Sequence, residues 1–349
     1  MLQESYDNAG LICGDTDREC TGILTCLDAT VEVIEEAISK GLNMVVAHHP
    51  ILFSGLKKIN GNSYEVRAVV SAIRHDIAIY AIHTNLDNII TGVNARMADK
   101  LGLTNRKVLA PKQGVLKKLI VFVPGPHAES VRNALFEAGA GNIGNYSECS
   151  FSTGGTGSFK PGREAQPFIG KTGERHLEEE VKIEVIYPLW LHAPVLKAMF
   201  LAHPYEEVAY DLLSLDNDLE IIGSGLIGHL PEPMEEQTFL KLLKESFGLS
   251  VIKYTNLQNK MISKVALCGG SGSFLLQAAI SKEAEIFVTA DMKYHEFFNA
   301  NNQIVIADIG HYESEQFTID LLYDLLREKF ATFAVQKTAI NTNPVHYFL

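Results

Sequence analysis

Cysteine is scarce in this chain and unpaired: Cys13, Cys20, Cys26, Cys149 and Cys268 are odd in number and form no CxxC. That speaks against a disulfide framework and against a cysteine zinc site, and makes a reducing, cytoplasmic compartment the expectation. Positive charge is short as well, with 30 Lys and Arg against 42 Asp and Glu for a formal net charge of −12. Non-specific binding to nucleic acid or to a membrane surface needs the opposite surplus. No basic–aromatic pattern for nucleic acid and no Ser/His/Asp elbow is present. Long apolar runs are missing too, none approaching the roughly 20 residues of a membrane span. The opening MLQESYDNAG has neither the basic head nor the apolar stretch of a signal peptide. What remains is ordinary globular material of 349 residues, 46% apolar and 21% charged, enough for two domains or three. Its distinctive resource is 12 histidines, several of them beside carboxylates.

The outer thirds alternate strands and helices. Ile23 to Ala29 reads as a buried strand, followed by Thr30 as N-cap, a helical face of Val31, Ile34 and Ile38, and Gly41 as the stop. Met44 to Ala47 and Ile77 to Ile82 are further strands, with helices over Ser63 to Asp76 and Gly92 to Leu101. In the last third, strands at Lys264 to Cys268, Glu285 to Ala290 and Gln303 to Ile309 alternate with helices from about Met292 and from Ser314 to about Phe330. This spacing predicts an α/β fold of βαβ units with a mostly parallel sheet, built from two strand–helix lobes. The middle differs. Strands at Lys117 to Pro124, Glu180 to Tyr187 and Tyr205 to Leu215 bracket helices at Glu129 to Ala138 and Ala193 to Leu201, with a Gly/Ser/Thr-rich stretch at Gly139 to Gly173. That order suggests a ferredoxin-like α+β insert at 115–217, interrupting a discontinuous domain of 1–114 and 218–349.

Ligands of open parallel sheets bind beyond the carboxyl ends of strands. Read there, the chain offers Leu27-Asp28-Ala29-Thr30, His48-His49-Pro50, His83-Thr84-Asn85-Leu86-Asp87, Gly269-Gly270-Ser271-Gly272, Asp291-Met292-Lys293-Tyr294-His295 and Asp308-Ile309-Gly310-His311. Imidazole with carboxylate is a ligand mixture for zinc, iron, manganese or nickel. His48 and His49 would point to opposite faces of an extended strand, so they share one site only if the chain turns at Pro50; otherwise each serves one metal of a pair. His311 and Glu315 are four apart and share a helix face, and either Asp87 or Glu315 could bridge two metals. A lone strand-end histidine is more often a hydrogen-bonded structural residue; convergence of such residues from both ends of the chain is what favours a metal site. Gly269 to Ser273 reads equally as a phosphate cradle without the Walker lysine or as a tight strand-to-helix turn. Ser152 to Ser158 reads as a flexible loop, the His203-Pro204-Tyr205-Glu206-Glu207 run as a solvated segment, and Trp190 as core.

Tyr6-Asp7-Asn8-Ala9-Gly10-Leu11, His48-His49-Pro50-Ile51-Leu52-Phe53, His83-Thr84-Asn85-Leu86-Asp87 and Gly310-His311 with Glu315 resemble, in order, the signature blocks of the Nif-three-like family, known in many bacteria as GTP cyclohydrolase I type 2 homologues. The resemblance spans almost the whole chain. Tyr6 departs from the family's Trp, and the helix that usually precedes that block is not in this sequence. The longer members resemble this chain in carrying a central insert similar to the trimeric PII and CutA fold. The resemblance implies two divalent metal ions per chain (zinc, iron or manganese) held by His48, His49, Asp87, His311 and Glu315. His83 and His295 follow as acid/base or supporting residues near them. It further implies a toroidal homohexamer, a nucleotide or other small-molecule substrate, and a hydrolase whose metal-activated water attacks the imidazole ring of GTP. A two-metal phosphoesterase and a metal-binding hexameric scaffold with a ligand-sensing insert are the alternatives.

Overall fold

The computed structural model describes residues 2–348. Two compact units emerge, Met1–Pro111 with Glu220–Leu349 and, between them in sequence, Lys112–Leu219. The first unit opens with β1 (Gly10–Cys13), β2 (Ile23–Cys26), α1 (Val31–Ser39), β3 (Met44–Ala47), α2 (Tyr64–Arg74), β4 (Ala78–Ala81), α3 (Thr84–Asp87), α4 (Val93–Lys100) and β5 (Thr104–Pro111). The second unit follows as β6 (Leu116–Pro124), α5 (Ala128–Glu137), β7 (Phe151–Phe159), β8 (His176–Pro188), α6 (His192–Ala202) and β9 (Tyr210–Leu215). The chain returns to the first unit with β10 (Gly223–Glu235), α7 (Glu236–Phe247), β11 (Lys253–Tyr254), β12 (Met261–Ser271), α8 (Leu276–Ser281), β13 (Ile286–Ala290), β14 (Val305–Asp308), α9 (His311–Glu315), α10 (Thr318–Lys329) and β15 (Val335–Lys337).

Two sheets build the first unit, ordered β1-β4-β3-β2-β15 and β11-β14-β13-β12-β10-β5. Within them β4, β3, β2 and β15 run parallel, as do β12, β13 and β14, while β1, β5, β10 and β11 join antiparallel. The first sheet is thus mostly parallel, with three parallel pairings of four, and the second is mixed, with two of five. The central strands are short and apolar along their whole length, as strands covered on both faces must be: β13 (IFVTA) and β14 (VIAD) are buried at every position. Phe287 in β13 is fully buried, and truncating it to Ala would cost about 3–5 kcal/mol. Helix starts follow local chemistry, with Thr30 and Ser63 accepting from the backbone N–H of Val33 and Val66.

The second unit alternates strictly along β6, where Leu119, Val121 and Val123 are buried and pack with Val131, Leu135, Ile183, Val185, Val195 and Met199 from the helices and β8. Its sheet runs β7-β8-β6-β9 with every pair antiparallel.

Several local expectations change. Ser152 to Ser158 lies inside β7, paired residue for residue with β8, so this glycine-rich run is an edge strand and not a loop. Tyr205 precedes its strand by five positions, since β9 begins only at Tyr210. Gly269, Gly270 and Ser271 continue β12 beyond the expected end at Cys268, and the chain then passes through a 3₁₀ turn (Ser273–Leu275) into α8. The helix placed from Ser314 starts earlier, at His311, and breaks after Glu315 before α10 begins at Thr318. Trp190 is half-buried rather than core.

Candidate metal centre

The carboxyl ends of β2, β3, β4, β13 and β14 meet around one carboxylate. Beyond β3, the N–H groups of His48 and His49 keep bonding the carbonyls of Cys26 and Leu27, at 3.1 and 3.0 Å, and the His48 carbonyl accepts from His83 N–H at 2.8 Å. Consecutive strand residues would face opposite sides. Here the chain leaves the strand before Pro50, and the two rings lie 4.8 Å apart, centroid to centroid. Both turn Nε2 toward Glu315: Oε2 is 2.9 Å from His49 and 3.7 Å from His48. α9 sets His311 on the same face, its Nε2 3.1 Å from Glu315 Oε2 and 3.3 Å from His49 Nε2. Asp87, last residue of α3, brings Oδ1 to 3.5 Å from His48 Nε2. Glu315 thus faces three imidazoles and Asp87 one, which makes Glu315 the shared carboxylate.

The donor set suits a cation. Tetrahedral ligands about 2.1 Å from a zinc-sized ion lie about 3.4 Å from one another, and the separations here, 2.9 to 3.7 Å, bracket that figure. His48, His49 and Glu315 offer ligand atoms all within 4.8 Å of one another. His48 Nδ1 and Nε2 and Asp87 Oδ1 are buried without a hydrogen-bond partner. Buried polar atoms are costly in that state, and ligation would satisfy His48 Nε2 and Asp87 Oδ1.

A second layer orients these rings, and sequence reasoning had not assigned it. His49 Nδ1–H donates to Asp28 Oδ1 at 2.8 Å, and His311 Nδ1–H to Asp291 Oδ2 at 2.7 Å. Each carboxylate fixes the tautomer that leaves Nε2 for a metal. His83 is treated alike by Asp7, at 2.7 Å, and Asp7 accepts in turn from the Thr84 N–H and hydroxyl. Asp28 and Asp291 stood at strand ends and Asp7 in the first signature block; the signal available was their position alone.

His83 belongs to the centre. Its ring lies 5.6 Å from those of both His48 and His49, held at a left-handed φ of 40°. His295 is not brought there: it is exposed on a 3₁₀ turn (Tyr294–Ala300), against Tyr294 and Phe298, and does not line the cleft. The loop after β13 ends its approach with Asp291, and the turn carries the four-residue-distant His295 away.

The glycine run has a different purpose from a phosphate cradle. Gly269 N–H donates to Asn94 Oδ1 at 3.0 Å and Gly270 N–H to Ser314 Oγ at 2.9 Å, so both amides are already engaged. Gly270 has a φ of +61°, and a Cβ there would fall 2.4 Å from Glu315 Oε1. The missing side chain is what admits Glu315.

Protonation reflects this crowding. Burial works against the charge on His49, but its hydrogen bonds to Asp28 and Glu315 outweigh that and push it up to about 9. For His311 burial is likewise overcome, by Asp291 and Glu315, and it is pushed up to about 11. Burial raises Asp87 to about 7, against the pull of His48. Burial opposes the charge of Glu315 too, yet the three imidazoles hold it well below the carboxylate range. Perturbed groups gathered in a cleft, here of about 820 Å³ with Tyr6, Phe53, Tyr64 and Phe274 among its walls, mark a functional site.

Comparison with known proteins agrees with the resemblance in the signature blocks. The curated "GTP cyclohydrolase 1 type 2 homolog" of Halalkalibacterium halodurans is 42% identical over 343 residues, covering 97% of this chain and 92% of the relative. The protein of the same name from Bacillus subtilis is 39% identical over 308 residues, 88% of this chain and 83% of its own. Among solved structures, the Bacillus cereus protein related to NIF3 superposes with a TM-score of 0.86 at 39% identity, covering 99% of this chain and 94% of that one. Residues 1–344 match the Duf34/NIF3 (NGG1p interacting factor 3) family, and the chain belongs to it.

Proposed function

We propose that this protein is a dinuclear metal-dependent hydrolase that opens the imidazole ring of a guanine-type purine. The observation that carries the reading is Glu315 Oε2, set within 2.9 to 3.7 Å of three imidazole Nε2 atoms and flanked by the unpartnered Asp87 Oδ1. His48, His49, His311, Asp87 and Glu315 would hold two divalent ions. Bound there, such ions supply Lewis acidity that brings a water's pKa to about 7. The name of the relatives, GTP cyclohydrolase 1 type 2 homolog, supports the purine ring as the target.

Ring opening consumes two waters: the first adds at C8 and a ring C–N bond breaks to leave a formamide, the second releases formate. Asp28 and Asp291 keep the Nδ1 protons of His49 and His311 in place, so those rings present Nε2 lone pairs. His83, with Nδ1–H committed to Asp7, has Nε2 left to carry a proton to the departing ring nitrogen. Tyr6, Phe53 and Phe274 offer faces on which a planar base stacks.

The inserted unit, with its β-α-β-β-α-β order and β7-β8-β6-β9 sheet, is read as ferredoxin-like and as a ligand-sensing module. Its own cleft, between β7 and Tyr205-Glu206-Glu207, favours a regulatory role beside the hydrolase.

Metal content and formate release, measured on the full chain and on Glu315→Gln, test the reading. The wild type is expected to carry close to two ions and to release formate; the variant should fold, lose metal and release none. Metal-loaded wild type that opens no purine, nucleotide, nucleoside or base, would refute it.

A further inference from the structure

The segment after β15 reaches the metal centre from the far end of the sequence. It is first moored away from the site. Thr338 N–H donates to the Thr25 carbonyl at 2.9 Å, the Thr338 hydroxyl bonds the Glu36 carboxylate, and Ala339 N–H donates to Glu36 Oε1 at 3.0 Å. Ile340 packs against the core that holds Leu24, Cys26, Val45 and Ala47. Beyond it the segment forms neither helix nor strand, and side chains hold its shape instead. Asn341 Oδ1 accepts from Asn343 N–H at 2.9 Å, and Asn343 Oδ1 from Val345 N–H at 3.0 Å. Pro344 disfavours helical backbone at the residue before it. This path brings two donors to the back of the centre. The Thr342 hydroxyl donates to Asp28 Oδ2 at 2.6 Å, and Asn343 Nδ2 donates to Glu313 Oε1 at 3.1 Å. Asn343, Pro344, Val345 and Tyr347 then form part of the cleft wall. A Cβ on Gly310, next to His311, would lie 3.3 Å from the Tyr347 hydroxyl, so the segment passes close to the start of α9.

The bond to Asp28 matters because of what the other carboxylate oxygen does. Oδ1 accepts from His49 Nδ1–H at 2.8 Å while Oδ2 accepts from Thr342. A carboxylate held at one oxygen still turns about its Cβ–Cγ bond, a broad torsion. Held at both oxygens it is fixed, and it fixes the ring of His49, whose Nε2 is set 2.9 Å from Glu315 Oε2. The Asp28 side chain is 34% exposed, so without Thr342 water would satisfy Oδ2 but set no direction. We propose that the segment Asn341–Tyr347 is a strap of the metal centre, and that Thr342 on it is a positioning residue that fixes His49 through Asp28. The inference rests on the metal reading of the centre and is independent of the hydrolysis.

Zinc affinity, read by chelator competition on the full chain, is to be compared with that of Thr342→Val, which keeps the shape and loses the hydroxyl, and of Thr342→Ser, which keeps the hydroxyl. Thr342 stands one bond further out than Asp28, so its loss belongs at the low end of the effect of groups behind a ligand. Thr342→Val should bind zinc about tenfold more weakly, and Thr342→Ser should restore the affinity. A chain stopped after Asn341 retains the moorings on Thr25 and Glu36 and should bind no tighter than Thr342→Val. In metal-free protein, the low-field proton resonance of the His49–Asp28 hydrogen bond, identified by its loss in Asp28→Asn, should move or broaden in Thr342→Val and return in Thr342→Ser. General destabilisation would not produce that signature. Wild-type affinity in Thr342→Val, an unmoved resonance, or a serine that fails to restore either overturns the proposal and leaves the metal centre standing. Tighter binding in Thr342→Val overturns it too, since the freed carboxylate would then act by pulling harder on Nδ1–H and not by holding the ring. A wild type that takes up no zinc sinks the centre and the strap with it.

Discussion

Asp28 and Asp291 make the same bond to different histidines of the candidate centre, so replacing each with Asn separates charge from shape. The distances are nearly equal, 2.8 Å from His49 Nδ1 to Asp28 and 2.7 Å from His311 Nδ1 to Asp291. Burial is not: side-chain exposure is 14% and 34% for the His49–Asp28 pair but 40% and 47% for His311–Asp291. Removing a carboxylate behind a metal-bound histidine weakens affinity about 10–100-fold, or about 1.4–2.8 kcal/mol. Solvent screens the Asp291 pair more strongly, which places Asp291→Asn near the tenfold end and Asp28→Asn near the hundredfold end. Asn keeps a carbonyl to accept Nδ1–H, and at Asp291 it also tolerates the left-handed φ of 54°. Competition of each variant with a fluorescent zinc chelator gives the two affinities directly. Unchanged affinity in Asp28→Asn, or a larger loss in Asp291→Asn than in Asp28→Asn, would refute the assignment of these residues as the orienting layer.

Metal uptake should expel protons. In the metal-free chain at pH 7, His49 and His311, pushed up to about 9 and about 11, are charged, and a metal must displace those protons. Calorimetry in buffers of different ionisation enthalpy should show about two to three protons released per chain at pH 7, the part beyond two coming from Asp87, and fewer above pH 9; no buffer dependence would contradict the protonation described. The same raised values give a stability trend. The histidine ion pairs contribute fully below about pH 6.5 and are lost as pH climbs through 9 and 11, so the Tm of metal-free protein should fall over that window, and a flat profile would count against it. Gly270→Ala places a Cβ 2.4 Å from Glu315 Oε1 at a φ of +61°, and metal content should collapse for a stability cost of about 1–3 kcal/mol; full metal loading in a folded variant would show that Glu315 has room to spare.

Much of the architecture could be read along the chain because its signals are local. Thr30 and Ser63 cap their helices through bonds spanning three residues, and β3 coincides with the apolar run Met44–Ala47. The failures share a cause. Ser152 to Ser158 has the composition of a loop, yet it is held as an edge strand by pairing with β8, from Ser152 with Ile183 to Ser158 with Leu177, information that composition does not carry. Gly269 to Ser271 has the look of a turn, but its φ values and hydrogen bonds answer to Glu315, Ser314 and Asn94, residues remote in sequence.

The centre divides along the same line. His48, His49, Asp87, His311 and Glu315 could be named from strand-end position and motif, because parallel strands deliver their carboxyl ends to one place. Which carboxylate is shared could not, since Asp87 and Glu315 are equivalent as residue types and differ only in where α3 and α9 aim them. His295 was misjudged for the complementary reason: a strand end followed by Asp291 looks the same whether the next residues stay at the cleft or, as the 3₁₀ turn of Tyr294–Ala300 does here, leave it. Asp7, Asp28 and Asp291 are ordinary aspartates until a ring nitrogen is found 2.7 or 2.8 Å away. The pattern of charge follows from this arrangement. Two of the three imidazoles around Glu315, His49 and His311, have a carboxylate behind them, so their charge is balanced pair by pair, whereas His48, with Nδ1 unpartnered, has none.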